Sequence, residues 1–136
     1  MNKEELEKRT LEFSVRLVKL LKKLPKDQIN YKISGQLFDA GTSIGANYKE
    51  ANAAESPKDF QHKIGLSSKE SREANYWLDI LRAHNPELNS EIDPLWSESD
   101  ELRRIFGAIY TTCKNKNKCE LKITNKITNH NSQITN

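Results

Sequence analysis

The residues of this chain that could do chemistry are few, and the most regular of them are basic. Arg9, Glu12, Arg16, Lys19, Lys23 and Lys26 follow one another at offsets of 3, 4, 3, 4 and 3, the spacing that collects side chains on one sector of an α-helix. Five of the six are basic, and such a row can neutralise successive phosphates of a nucleic-acid backbone without reading its bases. The same spacing also describes a solvated Lys-rich face, so spacing alone leaves both readings open. Metal chemistry is poorly provided for. A dinuclear site in a helical bundle needs glutamates from two helices and a Glu-x-x-His from each of the other two; the nearest match is a single Asp59-Phe60-Gln61-His62, with His84 and His130 isolated. No Arg has a His four to six residues beyond it, as helical-bundle ribonucleases do. Ser67, Ser68 and Ser71 have no histidine in helical register to activate a hydroxyl. Cys113 and Cys119 stand six apart, which fits neither a disulfide framework nor the short paired spacings of a zinc site, so Cys113 reads as a small core residue. The expectation is no catalytic residue, no metal and no cofactor.

A second group of polar residues sits where apolar ones would bury more area. Asn47 falls in the seam of the second predicted helix and Ser67 and Ser71 in that of the third. Small seam residues let helices approach closely, and a polar seam residue can fix register. On that reading Asn47, Glu50, Ser67 and Ser71 are structural, and Gly41 and Gly45 serve the same close approach.

These residues need long helices to position them, and the chain supplies four. Leu6, Thr10, Phe13, Leu17, Leu20 and Leu24 make one apolar seam, ended by Pro25. Asp27 can cap a second helix whose seam reads Ile33, Leu37, Ala40, Ile44, Asn47, Ala51 and Ala54. Ser56-Pro57-Lys58-Asp59 has the form of a helix start: a serine cap, proline in the first position and an acid in the first turn. Phe60, Ile64, Ser67, Ser71, Ala74, Leu78 and Leu81 follow as the third seam, and Asn85-Pro86 ends it. Asp93-Pro94 offers another start, followed by Leu95, Ser99, Leu102, Phe106, Ile109 and Cys113. Helices over about 3–24, 27–54, 57–84 and 93–117, joined by short connections, predict an all-α, antiparallel up-down-up-down four-helix bundle over residues 1–117. Residues 118–136 are low in complexity, repeating Ile-Thr-Asn three times, and predict a disordered tail.

More apolar surface is present than four seams explain. Leu11, Val15 and Val18 point away from the first seam by roughly 120 to 180 degrees at about 100 degrees per residue. Leu66, Trp77 and Ile80 flank the third seam among Glu70 and Glu73. Stripes of this kind predict self-association, with Leu11, Val15, Val18, Leu66 and Trp77 at the interface.

The 136 residues suffice for one domain, with 35% hydrophobic and 30% charged residues. No run approaches the roughly 18 apolar residues of a membrane span, and the charged opening MNKEELEKRT has no apolar signal core; the expected location is cytoplasmic, with no membrane contact. Net charge is +3 but uneven. Residues 1–26 hold eight Lys/Arg against four Asp/Glu, residues 27–113 nine against fourteen, and residues 114–136 five against one. Basic ends around an acidic middle point to an anionic partner.

Three stretches together resemble a known bacterial family, the four-helix bundle proteins related to the 23S rRNA intervening-sequence protein. They are Gln36-Leu37 with Ser43-Ile44-Gly45-Ala46-Asn47-Tyr48-Lys49-Glu50-Ala51, then Ser56-Pro57-Lys58-Asp59-Phe60, then Lys69-Glu70-Ser71-Arg72-Glu73-Ala74-Asn75-Tyr76-Trp77-Leu78. The resemblance spans roughly residues 8–117; Ser67 and Ser71 replace the alanines expected around the Lys-Glu pair, and the Ile-Thr-Asn tail lies outside it. It implies a homo-oligomer, a pentamer, with no enzymatic activity. It also implies an association with RNA, since relatives are encoded within intervening sequences of large-subunit rRNA genes. Similar bundles serve as nucleic-acid-binding accessories to the reverse transcriptases of retroelements. With it, Arg9, Arg16, Lys19, Lys23 and Lys26 become the expected nucleic-acid contacts. The competing expectation is a protein-interaction scaffold whose apolar stripes bind a partner such as a polymerase.

Overall fold

A computed structural model describes residues 1–115, and these form four α-helices and one short 3-10 turn: α1 (Lys3–Lys22), α2 (Gln28–Asn52), α3 (Pro57–His84), the turn Pro86–Leu88, and α4 (Asn89–Asn115). The predicted tail lies outside the described residues. The first three helix starts are each capped by a side chain that accepts from an otherwise unpaired backbone N–H. Asn2 and Glu5 cap α1 reciprocally, the Glu5 N–H donating to Asn2 Oδ1 at 2.8 Å and the Asn2 N–H to Glu5 Oε2 at 3.2 Å. Asp27 Oδ1 accepts from Asn30 N at 2.7 Å, and Ser56 Oγ from Asp59 N at 3.1 Å.

The fourth helix begins at Asn89 and not at Asp93-Pro94. Pro86 opens the 3-10 turn and the chain runs from it directly into α4, drawn in by Ile92, which is fully buried. Pro94 therefore lies in the second turn, where its missing N–H removes a single backbone bond.

Contacts between helices fix the topology. Leu17 and Thr10 of α1 lie over Gly41 and Gly45 of α2: a Cβ added at Gly41 would collide with Leu17 Cδ2, and one at Gly45 would come within 2.9 Å of Thr10 Oγ1. Asn30, near the start of α2, meets Asn85 at the end of α3, and Glu50 near the end of α2 meets Lys63 near the start of α3. Asn75 and Gly65 of α3 meet Asp100 and Tyr110 of α4, and α1 also packs on α4. Successive helices are thus antiparallel neighbours and the ring closes, as an up-down-up-down bundle requires. The core runs along its axis. Every residue of the first, third and fourth seams is buried. The α2 seam differs at two points. Ala54 lies just past the helix end and is half-buried, and Tyr48 fills the core place assigned to Asn47, its ring 5.3 Å from that of Phe106 on α4. A large aromatic at that step buries area that an amide cannot. Cys113 is buried as its seam position implies.

Candidate nucleic-acid interface

Three sectors run along α1. One is the buried seam; one, toward α4, is basic; and one, toward α2, is apolar. The basic sector faces acids on α4, and this divides its members. Arg9 Nε donates to Glu98 Oε2 at 2.7 Å and Nη2 to Glu98 Oε1 at 2.8 Å, while Nη2 also lies 3.0 Å from Glu101 Oε2. The bonds to Glu98 foremost, and to Glu101, outweigh the desolvation of the guanidinium and hold it further above its already high pKa. A forked, partly buried arrangement of this kind ties α1 to α4. Lys23 Nζ reaches Glu91 Oε1 at 3.1 Å in an exposed pair. Arg16 and Lys19, and Lys26, which lies past the end of α1 in the connection to α2 and not on its basic sector, are exposed and, among the described residues, enter no ion pair. The five predicted contacts therefore resolve into one helix tie, one loosely paired lysine and three uncommitted cations.

The apolar sector is open. Leu11 is 63% and Val15 45% exposed, and Val18 is half-buried. Beside them a groove of about 450 Å³ runs between α1 and α2, lined by Leu11, Thr10, Ser14, Gly45, Ala46 and Lys49. Leu66 and Trp77 are half-buried, and Trp77 packs against the edge of the core. They are less available than the α1 pair.

The polar seam residues divide as well. Ser67 Oγ donates to the Ile44 carbonyl at 2.9 Å, a bond from α3 to the α2 backbone, and Ser71 Oγ to the Ser67 carbonyl at 2.8 Å. Both are fully buried. The Ser67 hydroxyl, bonded to the neighbouring helix, lets the two backbones lie close, whereas that of Ser71 is satisfied within α3. Glu50 pairs with Lys63 at 3.0 Å across α2 and α3. Asn47 is half-buried and its amide donates to the Ser43 carbonyl of its own helix at 2.9 Å. It makes no bond to another helix among the described residues, so its assignment as a register-fixing seam residue is corrected. The residues that do fix register by amide pairing are Asn30 and Asn85. Each amide donates to the other's oxygen, at 2.9 and 2.8 Å, and both are buried at one end of the bundle. Fifty-five positions separate them, and no sequence signal joins them beyond their place at opposite helix ends. The acidic row of α4 was equally hidden, as was Tyr31, which is 82% exposed.

Among the described residues no group of three or more His, Cys, Asp or Glu side chains is placed to hold a metal. No described helix is long and apolar enough to cross a membrane.

The family described as 23S rRNA-intervening sequence protein matches residues 2–108. A solved structure from Bacteroides thetaiotaomicron, a protein of unknown function from the S23 ribosomal protein family, superposes with a TM-score of 0.70 at 35% sequence identity. The match covers 76% of this chain and 96% of that one. No curated protein matches the chain.

Proposed function

Because the chain belongs to the 23S rRNA-intervening sequence protein family, we propose that it is a non-enzymatic, self-associating bundle that binds RNA through its phosphates. One observation carries the reading: on α1 the uncommitted cations Arg16 and Lys19 run beside the exposed Leu11 and Val15, with Lys26 in the connection just beyond the helix end. Burial of the apolar row between copies repeats the basic row around a symmetric particle, of five chains on the family resemblance. Several weak phosphate contacts then act as one multivalent surface. Contacts of this type tolerate any sequence and weaken steeply with salt.

The test is a salt series. Fluorescence anisotropy of a labelled single-stranded RNA is followed with the parent and with a triple variant, Arg16→Glu, Lys19→Glu and Lys26→Glu. Each phosphate that is no longer neutralised should lower the slope of log affinity against log salt by about 0.7, at unchanged helicity and particle mass. Arg9→Met is the control: it should weaken the fold while leaving the slope in place. A parent that binds no RNA at low salt, or a triple variant with the parent's slope, would hand the function to the scaffold reading, in which the apolar surfaces dock a protein partner such as a polymerase.

A further inference from the structure

The outer face of α3 carries a second basic row with a different character. Lys58, His62, Lys69 and Arg72 lie at helical spacing on one side of a groove of about 510 Å³ between α3 and α4. Among the described residues none of the four enters an ion pair. Among the described residues no acid lines the groove. Glu70 lies among Glu73 and Asp39 of α2, and its burial first, then these charges, raises its carboxyl pKa against the opposing pull of Lys69. The charged residues that line the groove are therefore all basic, although Lys63 of α3 turns instead to Glu50 of α2. At the Arg72 end, α4 contributes Arg103 and Arg104, which share the single carboxylate of Asp100 at 2.9 and 2.8 Å, so that end too has a surplus of positive charge.

Tyr110 stands in the same groove. It is 37% exposed, and its ring rests against Gly65, where an added Cβ would be 3.0 Å from Cε2. Glycine at this place lets the ring lie down on α3 between the cations before and after it. A basic track with an aromatic ring set into it is the arrangement that holds single strands, the cations following the phosphates while a base stacks on the ring. A duplex keeps its bases paired and stacked and cannot offer one. We infer that the α3–α4 groove is a binding site for single-stranded nucleic acid, with Lys58, Lys69 and Arg72 on phosphates and Tyr110 under a base. It rests on the RNA-binding reading for its ligand class but on none of the α1 residues.

The test uses the full chain, short oligouridylate and oligothymidylate strands, and an RNA duplex of equal length. Tyr110→Leu should lower affinity for the single strands about tenfold and leave duplex binding unchanged. Lys69→Glu with Arg72→Glu should reduce the salt slope by about 1.4, the share of two phosphates. Iodouracil-substituted RNA, irradiated on the parent, should cross-link to Tyr110, located by peptide mass spectrometry. Parent-level single-strand binding by Tyr110→Leu together with cross-links only outside the groove would overturn the inference, and if the parent still binds RNA with its α1-dependent slope the proposed function survives it. Equal losses for single strand and duplex would reduce the groove to a phosphate surface without a base site and overturn it as well. Tighter binding of an acidic peptide than of oligouridylate, unaffected by Tyr110→Leu, would reassign the groove to a protein partner.

Discussion

Alanine at two glycines of α2 should move stability in opposite directions. Helix propensity favours alanine over glycine by about 0.8 to 1.0 kcal/mol in a helix interior, largely through the unfolded chain. At Gly35 nothing lies within 4 Å of where the methyl would stand, so Gly35→Ala should gain most of that. At Gly45 the methyl would meet Thr10 Oγ1 at 2.9 Å and Thr10 Cβ at 3.0 Å, with the Thr10 carbonyl carbon at 3.5 Å. Thr10 cannot swing aside. It is buried and β-branched, and its hydroxyl donates to the Glu7 carbonyl at 2.9 Å. Relief therefore requires α1 itself to withdraw by several tenths of an ångström. Overpacking of this kind costs about 1 to 3 kcal/mol, so after the propensity gain Gly45→Ala should lose about 1 kcal/mol. The two variants should differ by about 2 kcal/mol, a separation on the order of 10 °C in Tm for a chain this size. Urea unfolding followed by helical circular dichroism measures it, at one fixed protein concentration because self-association adds to apparent stability. The reasoning fails if Gly45→Ala stabilises as much as Gly35→Ala, since α1 would then not be held against α2 as described.

Other outcomes follow from the same structure. Val15→Glu should reduce the particle to single chains, by light scattering, with helicity retained, because a charge buried between copies has no partner; a parent already monomeric at high concentration would end that idea. Asn85→Leu should cost about 2 kcal/mol, since it removes the donor to the buried Asn30 Oδ1, while the Asn30 amide N–H groups keep the Pro25 carbonyl and Asp27, and Asn30→Leu with Asn85→Leu should cost less than the two single losses combined; additivity in a double-mutant cycle would refute the pairing. Glu70 has a folded-state pKa above its unfolded value, through burial first and Glu73 second, so its contribution is most favourable at acid pH and declines as pH rises through the folded pKa. Glu70→Gln should accordingly stabilise at neutral pH by a few tenths of a kcal/mol and flatten that decline; destabilisation at neutral pH would refute it.

Seams are legible because burial repeats with the helix, and nearly every seam residue named from spacing is buried. The exceptions have physical causes. At the α2 step from Ile44 the choice lay between the third and fourth residue onward. A tyrosine that can pack on Phe106 outcompetes an asparagine there, whatever the heptad suggests. Proline at Asp93-Pro94 resembled a start because proline is welcome in a first turn, but it is also tolerated early in a helix already begun at Asn89. Pairings between helices were out of reach altogether. Nothing local to Asn30 points to Asn85, nor anything local to Arg9 to Glu98. The α3 row escaped notice for a different reason: Gly65 interrupts its cations, and the residue that makes the interruption meaningful, Tyr110, belongs to another helix.

The uneven charge of the chain also changes meaning once the helices are placed. Basic ends around an acidic middle looked like a surplus waiting for an anionic partner. Part of that surplus is internal complementarity, because the α4 acids Glu91, Glu98 and Glu101 stand opposite Lys23 and Arg9 of α1. An exposed pair such as Lys23–Glu91 contributes little to stability, whereas the forked Arg9 cluster is partly shielded from water. What matters for a ligand is the charge left over after such pairing, and part of that remainder is not where the sequence is most basic. It includes Arg16 and Lys19 of α1 with Lys26 just beyond it, and also Lys58, Lys69 and Arg72 of α3, which lie inside the segment whose overall balance is acidic. Segment totals therefore miss this groove: a segment that is acidic overall can still hold a groove whose charged lining residues are all basic.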